Sequence, residues 1–123
     1  MQDSRFVVQE HTTAEGGHWD LMLEQGDVLT TFRLEEAPGA VSDHAVAAEK
    51  IFDHPLRFLT YEGPVQQGAG QVHIVDRGAC RLLTCSETAI VMELAGDVLQ
   101  GGFELTRTEE SRWRFAMTDA TVD

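Results

Sequence analysis

The sequence predicts a mainly β chain: a small antiparallel barrel of about eight strands with one or two short helices. Three observations point there. Apolar and polar residues alternate over short runs, glycine and proline interrupt the runs at near-regular spacing, and only one stretch has helix-forming composition. The 123 residues read as one domain, 1–123. A chain of that length can bury roughly two-thirds of its unfolded surface in a single core.

The elements follow in order. "RFVVQEH" (5–11) alternates and is the first expected strand. "HWDLMLE" (18–24) is the second, with Trp19, Leu21 and Leu23 on one face and His18, Asp20, Met22 and Glu24 on the other. "EQGD" offers a tight turn into "VLTTFRL" (28–34), which makes a hairpin. A two-residue turn at Gln25-Gly26 would pair Met22 with Leu29 and His18 with Arg33. "EEAPGAVSDH" (35–44) reads as a loop and "AVAAEKIF" (45–52) as a turn or two of helix. "HPLRFLTYEG" (54–63) is expected to be extended, with Pro55 at its start, where a strand tolerates proline. "GPVQQGAG" (63–70) is a glycine-rich loop. "QVHIVDRG" (71–78), "ACRLLTCS" (79–86), "TAIVMELAG" (88–96), "DVLQGGFELTRT" (97–108) and "SRWRFAMTD" (111–119) complete the strands. Val7, Trp19, Leu21, Leu23, Ile74, Val91 and Phe103 are the expected core.

Composition bounds the function. No apolar run approaches the ~18 residues of a membrane span. The start, "MQDSRFVVQ", has neither the basic nor the apolar region of a signal peptide, so a cytoplasmic location without a membrane is expected. The formal charge of −12 argues against a general nucleic-acid-binding surface but leaves room for a local basic cleft. Cys80 and Cys85 are expected to be reduced core residues, with no Cys-x-x-Cys pair to build a zinc ribbon. The "GAG" at 68–70 lacks the lysine of a phosphate loop, and no serine has a nucleophile-elbow context.

The chemistry concentrates in "HTTAEGGHWDLMLE" (11–24). A half-buried strand normally turns Thr, Ser, Lys and Glu to water, whereas this one turns out His-x-Asp, seven residues after another histidine. Residues i and i+2 of a strand project from one face about 7 Å apart. His18 and Asp20 can therefore converge, and Gly16 and Gly17 let the chain return tightly enough to bring His11 beside them. Two imidazoles and one carboxylate suit Mn²⁺, Fe²⁺ or Zn²⁺ with positions left open. Such an ion could activate water or polarise a phosphoryl oxygen. The same spacing also fits an ordinary surface histidine, or one hydrogen-bonded His–Asp pair. His44 and His73 read as solvent-facing, and His54 has only its place before Pro55 to mark it.

"RFVVQEH", "HWDLMLE" and "GDVL", then "DHPLRF", "YEG", "GAGQV" and "VDRG" resemble, in order, the 3′-phosphoesterase domain of bacterial DNA ligase D. The likeness runs over residues 5–118. It implies a small β-barrel with a groove, a Mn²⁺-dependent site, and removal of 3′-phosphates and 3′-terminal ribonucleotides at DNA breaks. It also implies metal ligation by His11, His18 and Asp20, and contact of His54 with the scissile phosphate.

The chain departs from that pattern. Met22 stands where the family has an arginine two residues after the metal-binding aspartate, and Phe58 stands where it has a tyrosine. An arginine expected shortly before Asp-His-Pro is absent from "HAVAAEKIF", where Lys50 is the nearest cation. The first two histidines are one residue further apart than usual. Arg33, across the hairpin, is the candidate replacement for the missing donor, with Arg57 and Arg77 behind it. Met22→Arg would restore the family's residue on that face.

Three readings follow. The first is a Mn²⁺- or Zn²⁺-dependent phosphoesterase acting on a nucleic-acid 3′ end or a small phosphate ester, in DNA end repair. The second is a catalytically degenerate relative that binds a metal, an anion or nucleic acid. The third is an interaction domain with incidental histidines. A separate ligase or polymerase is a possible partner for an end-repair enzyme of this kind.

Overall fold

The computed structural model describes residues 3–65 and 70–118. Nine strands form in chain order: β1 Asp3–Thr13, β2 Gly16–Gln25, β3 Val28–Leu34, β4 Val46–Pro55, β5 Gly63–Pro64, β6 Gln71–Cys85, β7 Ala89–Ala95, β8 Gln100–Glu109 and β9 Arg112–Met117. The hydrogen-bonded order is β1-β2-β3-β4-β9-β8-β7-β6-β5, and β1 also pairs with β6. Every pairing is antiparallel, so eight strands close into a barrel and β5 is a two-residue addition at one edge of β6. Closure leaves the ring without an unpaired edge. Two four-stranded meanders, β1–β4 and β6–β9, are joined along the β1–β6 and β4–β9 seams.

The interior is apolar and aromatic. Phe6, Val8, Leu21, Phe32, Phe103 and Phe115 are among the side chains buried there. Phe32 meets Trp113 edge-on at 5.0 Å, and Phe103 stacks on Phe115 at 5.5 Å. Of the expected core, Val7, Leu21, Leu23 and Phe103 are buried, while Trp19, Ile74 and Val91 are only half-buried. Ile74 belongs to a smaller cluster apart from the main core, and Val91 alternates with the buried Ile90 and Met92.

Between β4 and β6 the chain leaves the ring and crosses outside β3, β2 and β1. Leu59, in this crossover, packs against Val7, Met22 and Leu29, which form a second buried cluster on the outer wall. These three strands are thus covered on both faces, and Phe6–Gln9 and Asp20–Leu23 run without an exposed residue.

Several local expectations change. "AVAAEKIF" is strand, not helix: Val46 and Ala48 are buried while Ala47 and Glu49 are exposed, a period of two that outweighs helix propensity. Among the described residues the only helical pieces are 3₁₀ turns at Pro38–Ser42 and Leu56–Leu59. Pro55 therefore ends β4 rather than starting an extended run. Residues 71–85 form one long strand instead of two. Gly78, inside it, is required by packing, since a Cβ there would lie 2.1 Å from the Ala95 carbonyl oxygen. Cys80 is a core residue whose thiol burial pushes up to about 12, but Cys85 is exposed beyond a β-bulge at Leu82/Thr84. Of the glycine-rich loop, residues 66–69 lie outside the described residues. No helix among the described residues is long and apolar enough to cross a membrane.

Asp76 ties the ring to the β7–β8 turn. It is 4% exposed, and its two carboxylate oxygens accept the backbone N–H groups of Asp97 at 2.7 Å and Leu99 at 2.8 Å. Asp76→Ala leaves these donors without partners and should cost about 2–4 kcal/mol in urea-unfolding equilibrium. A loss within about 0.5 kcal/mol would show that water replaces the carboxylate there.

Candidate functional site

The outer wall beneath the crossover carries the polar residues. The β1–β2 hairpin pairs His11 directly with His18 and closes through the Thr13–Gly16 turn, tighter than the six-residue return expected. Thr13 caps the turn, its hydroxyl donating to the Gly16 carbonyl at 2.9 Å, and Gly16 takes φ of +127°. Pairing places the two imidazoles side by side, and the period of two puts Asp20 on the same face as His18. His11 Nδ1 lies 3.1 Å from His18 Nε2, which lies 3.7 Å from Asp20 Oδ2. One donor atom from each of the three falls within 4.8 Å of the others, a set that could hold one metal ion.

Asp20 is 3% exposed, and a buried carboxylate needs partners. Its Oδ1 accepts from Arg33 Nε at 3.3 Å. The hairpin register differs by two residues from the expected one. Gly26 and Asp27 form the turn, Gln25 pairs with Val28, and Arg33 stands opposite Asp20 rather than His18. Gly26 takes φ of +65°, which favours glycine at that turn position. A two-residue shift preserves the face, so Arg33 still enters the site.

His54 arrives from β4. One extra residue of β4, between Ile51 and His54, sits opposite β3 as a bulge, and both Phe52 and His54 face the cavity. Thr31, fully buried, lies with Oγ1 2.8 Å from His54 Nδ1 and donates its hydroxyl proton to the Leu29 carbonyl at 3.0 Å. A hydroxyl has one proton, so Thr31 accepts from Nδ1–H and Nε2 is the ring's remaining polar atom. Burial pushes the His54 pKa down, and Arg33 adds to this, against Asp20 and a backbone hydrogen bond at Phe52. Burial likewise lowers His18, opposed by Asp20 and reinforced by Arg33 and His11.

The crossover roofs the site. Gln9, 2% exposed and two residues before His11, donates both amide hydrogens, to the carbonyls of Phe58 and Tyr61, each at 3.0 Å. Phe58 meets His54 edge-on at 5.4 Å and Tyr61 at 5.6 Å. The half-open cavity beneath the crossover has a volume of about 560 Å³. Its polar side carries His11, Asp20, Arg33 and His54, and its apolar side Phe52, Phe58 and Tyr61. A hollow of about 640 Å³ near Phe32, Lys50 and Trp113 has no histidine in its lining.

All five singled-out residues, His11, His18, Asp20, Arg33 and His54, therefore gather on one wall. His44 and His73 lie elsewhere, exposed and paired with Glu36 at 2.8 Å and Glu10 at 3.0 Å. Arg57 also lines the cavity, its guanidinium 5.2 Å from the Phe58 ring centre, and Arg77 does not line it. Met22 is no open slot for an arginine, because it is 1% exposed in the apolar layer with Val7, Leu29 and Leu59. Sequence reasoning missed Gln9, Thr31, Phe52 and Tyr61. Only Gln9 left a signal, as a polar residue on the same strand face as His11.

Comparison with known proteins gives a consistent result. The family described as the DNA Ligase D 3'-phosphoesterase domain matches residues 9–107. The multifunctional non-homologous end joining protein LigD of Mycobacterium bovis is 32% identical over 116 residues, which cover 88% of this chain and 15% of that protein. The protein of the same name from Pseudomonas aeruginosa is 33% identical over 123 residues, 89% of this chain and 14% of that one. That of Mycolicibacterium smegmatis is 28% identical over 126 residues, covering 90% and 16%. The chain thus spans about one-seventh of the length of these relatives. On the match across most of its length, the chain belongs to the DNA ligase D 3′-phosphoesterase domain family.

Proposed function

We propose that this chain is a divalent-metal-dependent phosphoesterase that trims 3′ ends of nucleic acid, with Mn²⁺ or Zn²⁺ held by His11, His18 and Asp20. The observation that carries the reading is the convergence of those three donors within 4.8 Å on a cavity that also presents Arg33 and His54. The donor set fits the ion. Two imidazole nitrogens 3.1 Å apart and a neighbouring carboxylate are donor types that Mn²⁺ and Zn²⁺ both accept. When bound, the ion supplies Lewis acidity toward a phosphoryl oxygen and a water acidified for attack.

The protein's own groups do the rest. Asp20 divides its oxygens, Oδ2 facing His18 and Oδ1 facing Arg33. Arg33 is thereby fixed through Nε, leaving its terminal N–H groups as donors to a phosphate. An arriving phosphate is anionic and favours the protonated form of His54, whose Nε2–H then donates to a phosphate oxygen. Thr31 holds that ring at Nδ1. Hydrolysis breaks the bond between phosphorus and the 3′ oxygen, leaving a 3′-hydroxyl and inorganic phosphate. The relatives are named for end joining and are about seven times longer. Their name supports a role in processing the ends that a ligase or polymerase then uses.

A second reading keeps one supporting observation. The buried Met22 occupies the strand position where the family pattern places an arginine donor. A relative that has lost catalysis would still bind an anion at Arg33 and His54, but would turn nothing over.

Calorimetry should show one Mn²⁺ or Zn²⁺ per chain. Asp20→Ala should weaken binding about 10²-fold or more, and equal affinity would remove these ligands from the assignment. With a 3′-phosphate primer and saturating Mn²⁺, Arg33→Ala should slow release about 10²-fold. An unchanged rate would take Arg33 out of the site. Met22→Arg should not raise activity. It should destabilise the fold by about 2 kcal/mol or more, because it places a charge in an apolar layer.

The His54 imidazole should titrate below the ordinary histidine midpoint of about 6.5, read by NMR on the metal-free protein. Because its folded value is depressed, the unfolded chain takes up the proton first. The stability linked to His54 is present above about pH 6.5 and lost as pH falls through the folded value. A His54 midpoint at or above the unfolded value would contradict the burial seen here.

A further inference from the structure

Phe52 is the only aromatic among the exposed large apolar side chains of the described residues, at 72% exposure. It is nevertheless held in place. Its ring stacks on His54 with centroids 4.8 Å apart and planes at 23°. One face of the ring is covered by the imidazole and the other is open beside the cavity. The row continues inward, with Phe58 edge-on to His54 and Tyr61 edge-on to Phe58. Flat apolar surface thus adjoins Arg33, His54 and the three clustered donors, which suit an anion.

We propose that Phe52 is the platform on which the terminal nucleobase of the substrate stacks, and so sets specificity for a base-bearing 3′ end. The inference rests on the phosphoesterase reading and adds its substrate class. A 3′-phosphate and the base of the same nucleotide are separated by one sugar ring. The ligand that suits an anion site beside a stacked ring is therefore the end nucleotide itself. Charge supports a short contact. The chain carries −12, and the cavity offers two arginines, Arg33 and Arg57, so long-range attraction to a polyanion cannot supply the affinity. Base–aromatic stacking adds affinity at every base and is indifferent to sequence. Purines, with the larger face, should bind ahead of pyrimidines, and pyrimidines ahead of an abasic end.

The test separates the two readings. A single-stranded oligonucleotide with a 3′-phosphate carries 2-aminopurine at its last nucleotide, and its fluorescence is followed in EDTA. Wild type and Phe52→Trp should quench it. Phe52→Ala, at an exposed position that leaves the barrel interior untouched, should bind about 10-fold more weakly. A probe four nucleotides inward should stay unchanged. In parallel, Mn²⁺-dependent phosphate release is measured from normal and abasic 3′ ends. Phe52→Ala should slow release from the normal end about 10-fold more than release from the abasic end, which carries any effect on His54 alone. Equal quenching and equal rates in wild type and Phe52→Ala would overturn the platform while leaving the phosphoesterase reading in place. Absence of release from any end would overturn the phosphoesterase reading, and the quenching result would then decide the platform alone. Loss of self-association in Phe52→Ala without any change in quenching would make Phe52 a protein contact and overturn the proposal.

Discussion

The side-chain amide of Gln9 holds the two layers of the site together. Its two hydrogens reach the carbonyls of Phe58 and Tyr61 at 3.0 Å each, from a side chain almost wholly removed from water. Those carbonyls belong to the segment that leaves the ring after β4, so one residue of the wall fixes the roof above it. A carboxylate in that place would donate nothing, and a hydroxyl only once. Leu59 then seals over Val7, Met22 and Leu29, and the rings of Phe58 and Tyr61 come to rest beside His54. Without the crossover the same five polar residues would lie on an open sheet face. With it four of them, His11, Asp20, Arg33 and His54, line a partly covered hollow, where charges interact more strongly than in bulk water.

The sequence showed the pieces set by local rules and hid those set by contacts across the fold. Alternation and turn residues disclosed most strands, and the His-x-Asp strand with its returning His11 was legible because period two sets His18 and Asp20 on one face and the Gly16-Gly17 return brings His11 beside them. Arg33 was placed on the correct face even though its register was off by two, since a shift of two residues keeps the side. Residues 45–52 read as helix because alanine, glutamate and lysine are good helix formers, and their burial in alternation against β3 and β9 is a tertiary fact. Thr31, Phe52 and Tyr61 carried no local mark. Their roles come from a bulge and from a crossover that folds back over three strands.

Charge is rationed within this acidic molecule. Arg33 is engaged by a buried carboxylate, and Arg57 lies over an aromatic ring. Both are oriented rather than free to sweep solvent. A site so supplied gains little from the general attraction that draws basic proteins along nucleic acid.

The named groups of the cavity, from Gln9 to Tyr61, all come from the first meander and the crossover. The second meander, β6–β9, is hydrogen-bonded to the first along the β1–β6 and β4–β9 seams and shares its core. It contributes mostly apolar lining such as Val72. The molecule is therefore split between an instrument and its mount. The turns at residues 86–88, 96–99 and 110–111 all lie in the mount. The 96–99 turn is pinned by Asp76 and the 110–111 turn by the Lys50 amide on the Ser111 carbonyl, which leaves the 86–88 turn as the one of the three whose length and charge can change without pulling on either. Evolution and protein engineers alike have, in the 86–88 turn, a place to write a new attachment onto an unchanged site.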